Sequence, residues 1–156
     1  ARINPQKQSS LMNDVVSDVI SFAAIQKRFS AIKLTTNLAP QLPALQMDRD
    51  QIAQVIINIL NNAADAISET GRRDGLIVLT TVLDQTELVL RVSDNGRGMT
   101  PDVKEKLFKA HFTTKPKGHG YGLTTCSRIL DHHEAKVTIE SKVGFGTTFE
   151  FRFPVT

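Results

Sequence analysis

The chain predicts an α+β fold, a two-layer sandwich in which one mixed, mostly antiparallel sheet is covered on one face by helices. Three observations carry this expectation. Helical and β patterns follow one another as helix, strand, helix, hairpin, helix, loop, helix, hairpin. The length of 156 residues suits one domain. Apolar residues make up 40%, enough for a single core.

Residues 1–9 are polar and read as a frayed tail. Leu11, Val15, Val19, Phe22 and Ala23 recur at helical spacing, which predicts an amphipathic helix over 11–29. AIKLTTNL at 31–38 reads as a strand, ended by Pro40 and Pro43. Asp48 is placed to cap the next helix, whose apolar stripe is Ile52, Val55, Ile56, Ile59, Leu60, Ala63 and Ile67. Gly71 and the polar run to Gly75 end it. Residues 76–83 and 87–94 form a predicted hairpin. Pro101 opens a short helix to about 109. Residues 110–121 lack periodicity and read as a loop, 122–133 as a helix, and 135–141 and 147–153 as two strands around a Gly-containing turn.

Several function classes lose support from bulk properties. The net charge is +3, from 19 basic and 16 acidic residues, too small an excess to indicate nucleic acid. Lys104, Lys106, Lys109, Lys115 and Lys117 do cluster, as a solvated helix and loop or as a positive rim over phosphates. The single cysteine, Cys126, excludes a disulfide within the chain and fits a reducing compartment. Its apolar helical context predicts a buried, inert thiol. No apolar run is long enough to span a membrane, and no signal peptide is visible. The start at Ala1 is what a piece cut from a longer protein would show.

Three separated patches suit one ligand. Asn58, Asn62 and Asp65 fall within about 60° on a helical wheel and border the apolar stripe. A carboxamide there can offer its oxygen to Mg²⁺, which takes few protein ligands and draws others from phosphates and water. An ordinary polar helix border has the same composition. Leu88, Leu90, Val92 and Asp94 share one strand parity, so Asp94 points inward with them. An inward carboxylate needs donors, and an adenine amino group is one. Gly96 and Gly98 follow, allowing close backbone approach and positive φ; an Asp-Asn-Gly turn alone accounts for the same residues. Gly118, Gly120 and Gly122 lead into a helix N-terminus, a phosphate-binding arrangement or a flexible linker. The string GHGYGL is neither a P-loop nor a dinucleotide fingerprint.

Over about residues 10–154 these segments resemble the catalytic, ATP-binding domain of bacterial sensor histidine kinases. Its superfamily, with the Bergerat-type ATP-binding fold, also holds DNA gyrase, Hsp90 and MutL ATPases. QVIINILNNAADAI at 54–67 resembles the Asn box, which implies Mg²⁺ binding by Asn62 and a position near the phosphates for Asn58. DNGRGM at 94–99 resembles the first glycine box, which implies contact of Asp94 with the adenine amine and brings in Met99. LFKAHFTTK at 107–115 resembles the phenylalanine box, with Phe108 and Phe112. GHGYGL at 118–123 resembles the second glycine box, adding His119, Tyr121 and Leu123 to the nucleotide site. GTTFEFRFP at 146–154 resembles the last box, and strand parity makes Thr147 its candidate to reach the adenine. Lys115 and Lys117 belong to an expected lid over about 99–121. There are departures from the pattern. Ala110-His111 stands where many relatives have Pro-Phe, and His133-Glu134-Ala135 where many have His-Gly-Gly. His132 and His133 read as surface or turn residues.

The resemblance implies ATP and Mg²⁺ as cofactors, with Asn58 and Asn62 as the catalytic residues. It implies transfer of the γ-phosphoryl group to a His on a separate dimerisation domain, whose final helix could end in residues 1–9. A response regulator would be served indirectly. Nucleic acid is not an expected partner. The isolated domain is expected to be monomeric, its parent a cytoplasmic or membrane-anchored homodimer. ATPases of the superfamily carry a water-activating Glu where Asn58 stands, and Asn is no general base at neutral pH. That favours a kinase over a clamp ATPase. A serine kinase of the anti-sigma type and a non-catalytic nucleotide-binding regulatory module remain as alternatives.

Overall fold

The computed structural model describes residues 5–110 and 121–155. Helix α2, Arg49–Ser68, organises the rest. Its first turn is capped as the sequence predicts: the Asp48 carboxylate accepts a hydrogen bond from the Gln51 amide at 3.1 Å. From there the i, i+3, i+4, i+7 pattern buries Ile52, Val55, Ile56, Ile59, Leu60, Ala63 and Ile67. The stripe rests on the inward faces of the sheet strands and between the helices α1, Met12–Ala24, and α4, Tyr121–His132.

Five strands form the main sheet: β2, Lys33–Asn37; β4, Leu76–Asp84; β5, Glu87–Asp94; β6, Lys136–Lys142; and β7, Gly146–Pro154. Their order is β2-β4-β5-β7-β6. β2 pairs parallel with β4, and every other pairing is antiparallel. A parallel pair needs a long crossover, which α2 supplies. The helices cover one face only, where Ile77, Leu79, Leu88, Leu90, Val92, Phe149, Phe151 and Phe153 are buried. The opposite face carries an ion network. Arg91 meets Glu150 at 2.7 Å, and Arg152 meets Glu150, Asp84 and Glu87 at 2.9 to 3.1 Å. The two arginines hold the Glu150 carboxyl below its ordinary range, the hydrogen bond from Arg91 contributing most. Alternating apolar and charged residues thus give the sheet one dry and one wet face.

Three expectations need correction. Within the tail expected to fray, residues 6–9 are held in place. β1, Gln8–Ser10, pairs antiparallel with β3, Leu45–Met47, and the Gln6 amide donates to Asp48 Oδ2 at 2.7 Å. Three-residue strands are too short to show periodicity, and their partners lie far apart in sequence. His133 is a turn residue but not a surface one. It is buried, accepts at Nε2 from the Asp48 amide at 3.0 Å, and bonds through Nδ1 to the Ile129 carbonyl at 2.8 Å. That pattern requires the neutral tautomer with the proton on Nδ1. Burial lowers the pKa of this imidazole. The His133 ring therefore pins the end of α4 to the cap of α2. The predicted helix at 11–29 also stops at Ala24, and a separate 3₁₀ turn, Lys27–Phe29, follows with Phe29 buried. Helix α3, Pro101–Phe108, is capped by the Thr100 hydroxyl, which accepts from Val103.

Candidate nucleotide site

Strand β5 delivers Asp94 to the floor of a cavity of about 270 Å³ between α2, α3, α4 and β7. The parity argument holds here: Leu88, Leu90 and Val92 are buried on the core side, and Asp94 opens into the cavity beside them. Asp94 Oδ1 accepts from the Gly96 amide at 2.8 Å. Burial pushes the Asp94 carboxyl above its ordinary range, while backbone hydrogen bonds from Gly96 and Thr147 draw it partly back. Desolvation dominates, so this group gains from a further donor.

Thr147 lies opposite Asp94 in the β5–β7 register and is buried on the same face as Phe149. Its hydroxyl lies 2.7 Å from Ser141 Oγ. Ser141 in turn accepts from the Met99 amide at 2.8 Å, fixing the turn after Asp94. Gly98 has φ +72°, and an added Cβ would run into the Lys142 carbonyl. A Cβ on Gly96 would lie 2.6 Å from the Ala66 Cβ. The glycines after Asp94 were expected to let the backbone approach a ligand. In the structure they let it approach α2 and β6, which sets Asp94 in place. Asn95 completes the turn: its side-chain oxygen accepts from the Leu76 amide at 2.8 Å, and its amide nitrogen donates to the Asp74 carbonyl at 2.9 Å.

Among the sequence candidates, Asn62, Asp65, Asp94, Gly98, Met99, Leu123 and Thr147 line this one cavity. Gly96 acts behind it through its amide. Asn58 is not among the lining residues; its side-chain nitrogen lies 3.8 Å from Cys126 Sγ on α4. Burial drives the Cys126 thiol up to about 12, which makes it the inert group the sequence suggests. Phe112, Lys115, Lys117, Gly118, His119 and Gly120 lie outside the described residues, and Tyr121 and Gly122 open α4. Ala63, Ala66, Glu69, Arg97, Leu107 and Phe149 also line the cavity, beyond the residues that the sequence assigns to the site. Helical spacing from Asn62 could have found Ala66 and Glu69, at i+4 and i+7. Arg97 pairs with Glu69 at 3.1 Å.

The walls formed by Ala63, Ala66, Met99, Leu107, Leu123 and Phe149 are apolar, with the Asp94 carboxyl set between them. That chemistry fits a flat ring bearing an amino group. No group of three or more His, Cys, Asp or Glu side chains able to hold a metal occurs among the described residues. Mg²⁺ carried in with phosphates needs no such cage, and a cavity-facing Asn62 carboxamide suits it.

Residues 47–156 match the family model of histidine kinase-, DNA gyrase B- and HSP90-like ATPases. The chain belongs to this family. Sporulation kinase E of Bacillus subtilis (strain 168) is 31% identical over 144 residues, covering 92% of the chain and 19% of that relative. Sensor protein FixL of Bradyrhizobium diazoefficiens is 31% identical over 154 residues, covering 99% of the chain and 30% of the relative. Among solved structures, the catalytic domain of histidine kinase ThkA superposes with a TM-score of 0.78 at 28% identity, covering 96% of the chain and 95% of that domain. Full-length ShkA in complex with AMPPNP gives a TM-score of 0.80 at 22% identity, covering 100% of the chain and 33% of that protein, a likeness of fold. Within the family, the chain is thus of the ATP-binding catalytic-domain type found in sensor histidine kinases. It spans under a third of the length of the two curated relatives.

Proposed function

We propose that this domain binds ATP with Mg²⁺ and supplies the γ-phosphoryl group to a histidine on a separate dimerisation domain. The observation that carries the reading is the Asp94 carboxylate. It is desolvated, held at one oxygen by Gly96, and set between apolar walls in the cavity that Asn62 also lines. In this reading Asp94 accepts from the adenine amine, with Thr147 beside it. Met99, Leu107 and Leu123 enclose the ring, and Gly96 and Gly98 hold the turn. Asn62 would hold Mg²⁺, which when bound neutralises charge on the phosphates as the phosphoryl group leaves. Asn58 lies one turn from Asn62, toward the phosphates. In the same reading Phe112, Lys115, Lys117, Gly118, His119, Gly120, Tyr121 and Gly122 would contribute to nucleotide binding.

What these residues contribute is positioning and charge stabilisation, since phosphoryl transfer asks little covalent chemistry of the protein. Asn58 cannot take a proton from water, so hydrolysis is slow and ATP is kept until the acceptor arrives. In this reading the parent is a homodimeric kinase, cytoplasmic or membrane-anchored, that serves a response regulator indirectly, and this domain alone is monomeric. ThkA has been solved in complex with the response regulator TrrA, in a structure that the chain matches at 27% identity and a TM-score of 0.75. Among the described residues no helix is long and apolar enough to cross a membrane.

The test supplies γ-labelled ATP to the chain and to the parent's helical domain. Acid-labile, base-stable label on the helical domain is the expected result. Acid-stable label indicates a serine kinase instead. Rapid phosphate release by the chain alone overturns the kinase reading.

A further inference from the structure

Asp65 sits three residues after Asn62 on α2 and lines the same cavity. Residues at that spacing are neighbours on a helix surface. Phosphates drawn toward Asn62 would therefore pass close to a carboxylate, which repels them. The structure holds a remedy from outside every motif. Arg28 Nη1 donates to Asp65 Oδ1 at 3.1 Å, bridging 37 positions of sequence. Arg28 belongs to the 3₁₀ turn Lys27–Phe29. That turn is anchored by the buried Phe29 ring and closed by the Phe29 amide on the Gln26 carbonyl and the Ser30 amide on the Lys27 carbonyl. The guanidinium is thus presented from a fixed turn.

The other two carboxylates of the cavity are accounted for differently. Glu69 meets Arg97 at 3.1 Å, and Asp94 lies recessed with its oxygen on the Gly96 amide. Asp65 depends on a cation from the α1–β2 connection. Its side chain is 64% exposed and that of Arg28 is 46% exposed, so the pair contributes little to folding.

We propose that Arg28 is a specificity-determining residue: by cancelling the charge of Asp65 beside the phosphate path, it allows the cavity to accept a nucleoside polyphosphate. The inference rests on the nucleotide reading above and adds the residue that tunes it for charge. Arg28 positions no reacting atom, and its influence scales with the charge of the ligand.

The experiment measures binding of ATP, AMP and adenosine by calorimetry to the full chain. The variants are Arg28→Ala, Arg28→Lys and the double variant Arg28→Ala/Asp65→Asn. Removing one partially screened charge next to a triphosphate is expected to weaken ATP by roughly 5- to 30-fold and adenosine by less than about twofold. AMP falls between them. Arg28→Lys retains most of the affinity. The double variant recovers part of the ATP affinity that Arg28→Ala loses, because the carboxylate being neutralised is gone. Raising the salt concentration shrinks the Arg28→Ala defect. An unchanged ratio of ATP to adenosine affinity in Arg28→Ala overturns the inference, as does a double variant as weak as the single one. Wild-type chain that binds none of the three ligands overturns the nucleotide reading instead, and with it this role.

Discussion

Replacing Asp94 by Asn separates binding from folding, because the two should move in opposite directions. The Asn carbonyl oxygen can keep the 2.8 Å bond from the Gly96 amide, so the turn after β5 is retained. What changes is the group facing the cavity: an ionised acceptor gives way to a neutral amide whose NH₂ opposes another donor. A hydrogen bond to a charged group is worth about 1.5–3 kcal/mol, which predicts a loss of roughly 10- to 150-fold in ATP affinity. Stability should not fall. The Asp94 pKa is raised by burial, so the folded state holds this proton more tightly than the unfolded chain. The penalty for ionisation is absent below the ordinary carboxylate pKa of about 3.9 and is complete once pH has risen through the folded value. At neutral pH the Asn variant escapes it and should unfold at the same or higher urea concentration than wild type. Its advantage should vanish in acid. Calorimetry with ATP and ITP, paired with urea melts at several pH values, reads both effects. Wild type should prefer ATP, whose 6-amino group is the donor, and the variant should lose that preference. Equal ATP affinity in the two proteins, or no preference of wild type for ATP over ITP, refutes the assignment.

Three other outcomes are expected. Asn62→Ala should weaken nucleotide binding in the presence of Mg²⁺ more than in EDTA; an identical loss in both removes Asn62 from the metal. Gly98→Ala must adopt φ +72° and push a methyl into the Lys142 carbonyl, so it should destabilise the fold by about 1–2 kcal/mol from backbone conformation alone, with the clash added; a urea midpoint within error of wild type contradicts this. His133, with its pKa lowered by burial, gives its full stabilisation above the unfolded value near 6.5 and loses it as pH falls through the folded one. Wild type should therefore weaken between neutral pH and pH 5, and His133→Gln should flatten that slope, which a series of thermal melts across this range would show.

Much of the site was legible in one dimension. The parity that turns Leu88, Leu90 and Val92 inward also turns Asp94 inward, and the same parity put Thr147 with Phe149 on β7. The capping Asp48 and the stripe of α2 were equally plain. These are periodic or local signals, and backbone geometry alone determines them. The helical wheel grouped Asn58 with Asn62 and Asp65, yet α4 meets Asn58 at Cys126 while Asn62 and Asp65 face the cavity. A wheel gives direction around one helix and is silent on which neighbour covers each part of it.

The sequence by itself determined the order of the longer helices and strands, the dry face of the sheet and the inward carboxylate. Only the tertiary structure decided the β1–β3 ribbon, the burial of His133 against the Asp48 amide, the partners of the glycines after Asp94, and the pairing of Arg28 with Asp65. Each of these joins residues far apart along the chain through one hydrogen bond or one close approach. Periodicity records the repeated burial of a face, and a single contact between distant segments leaves no repeat to read.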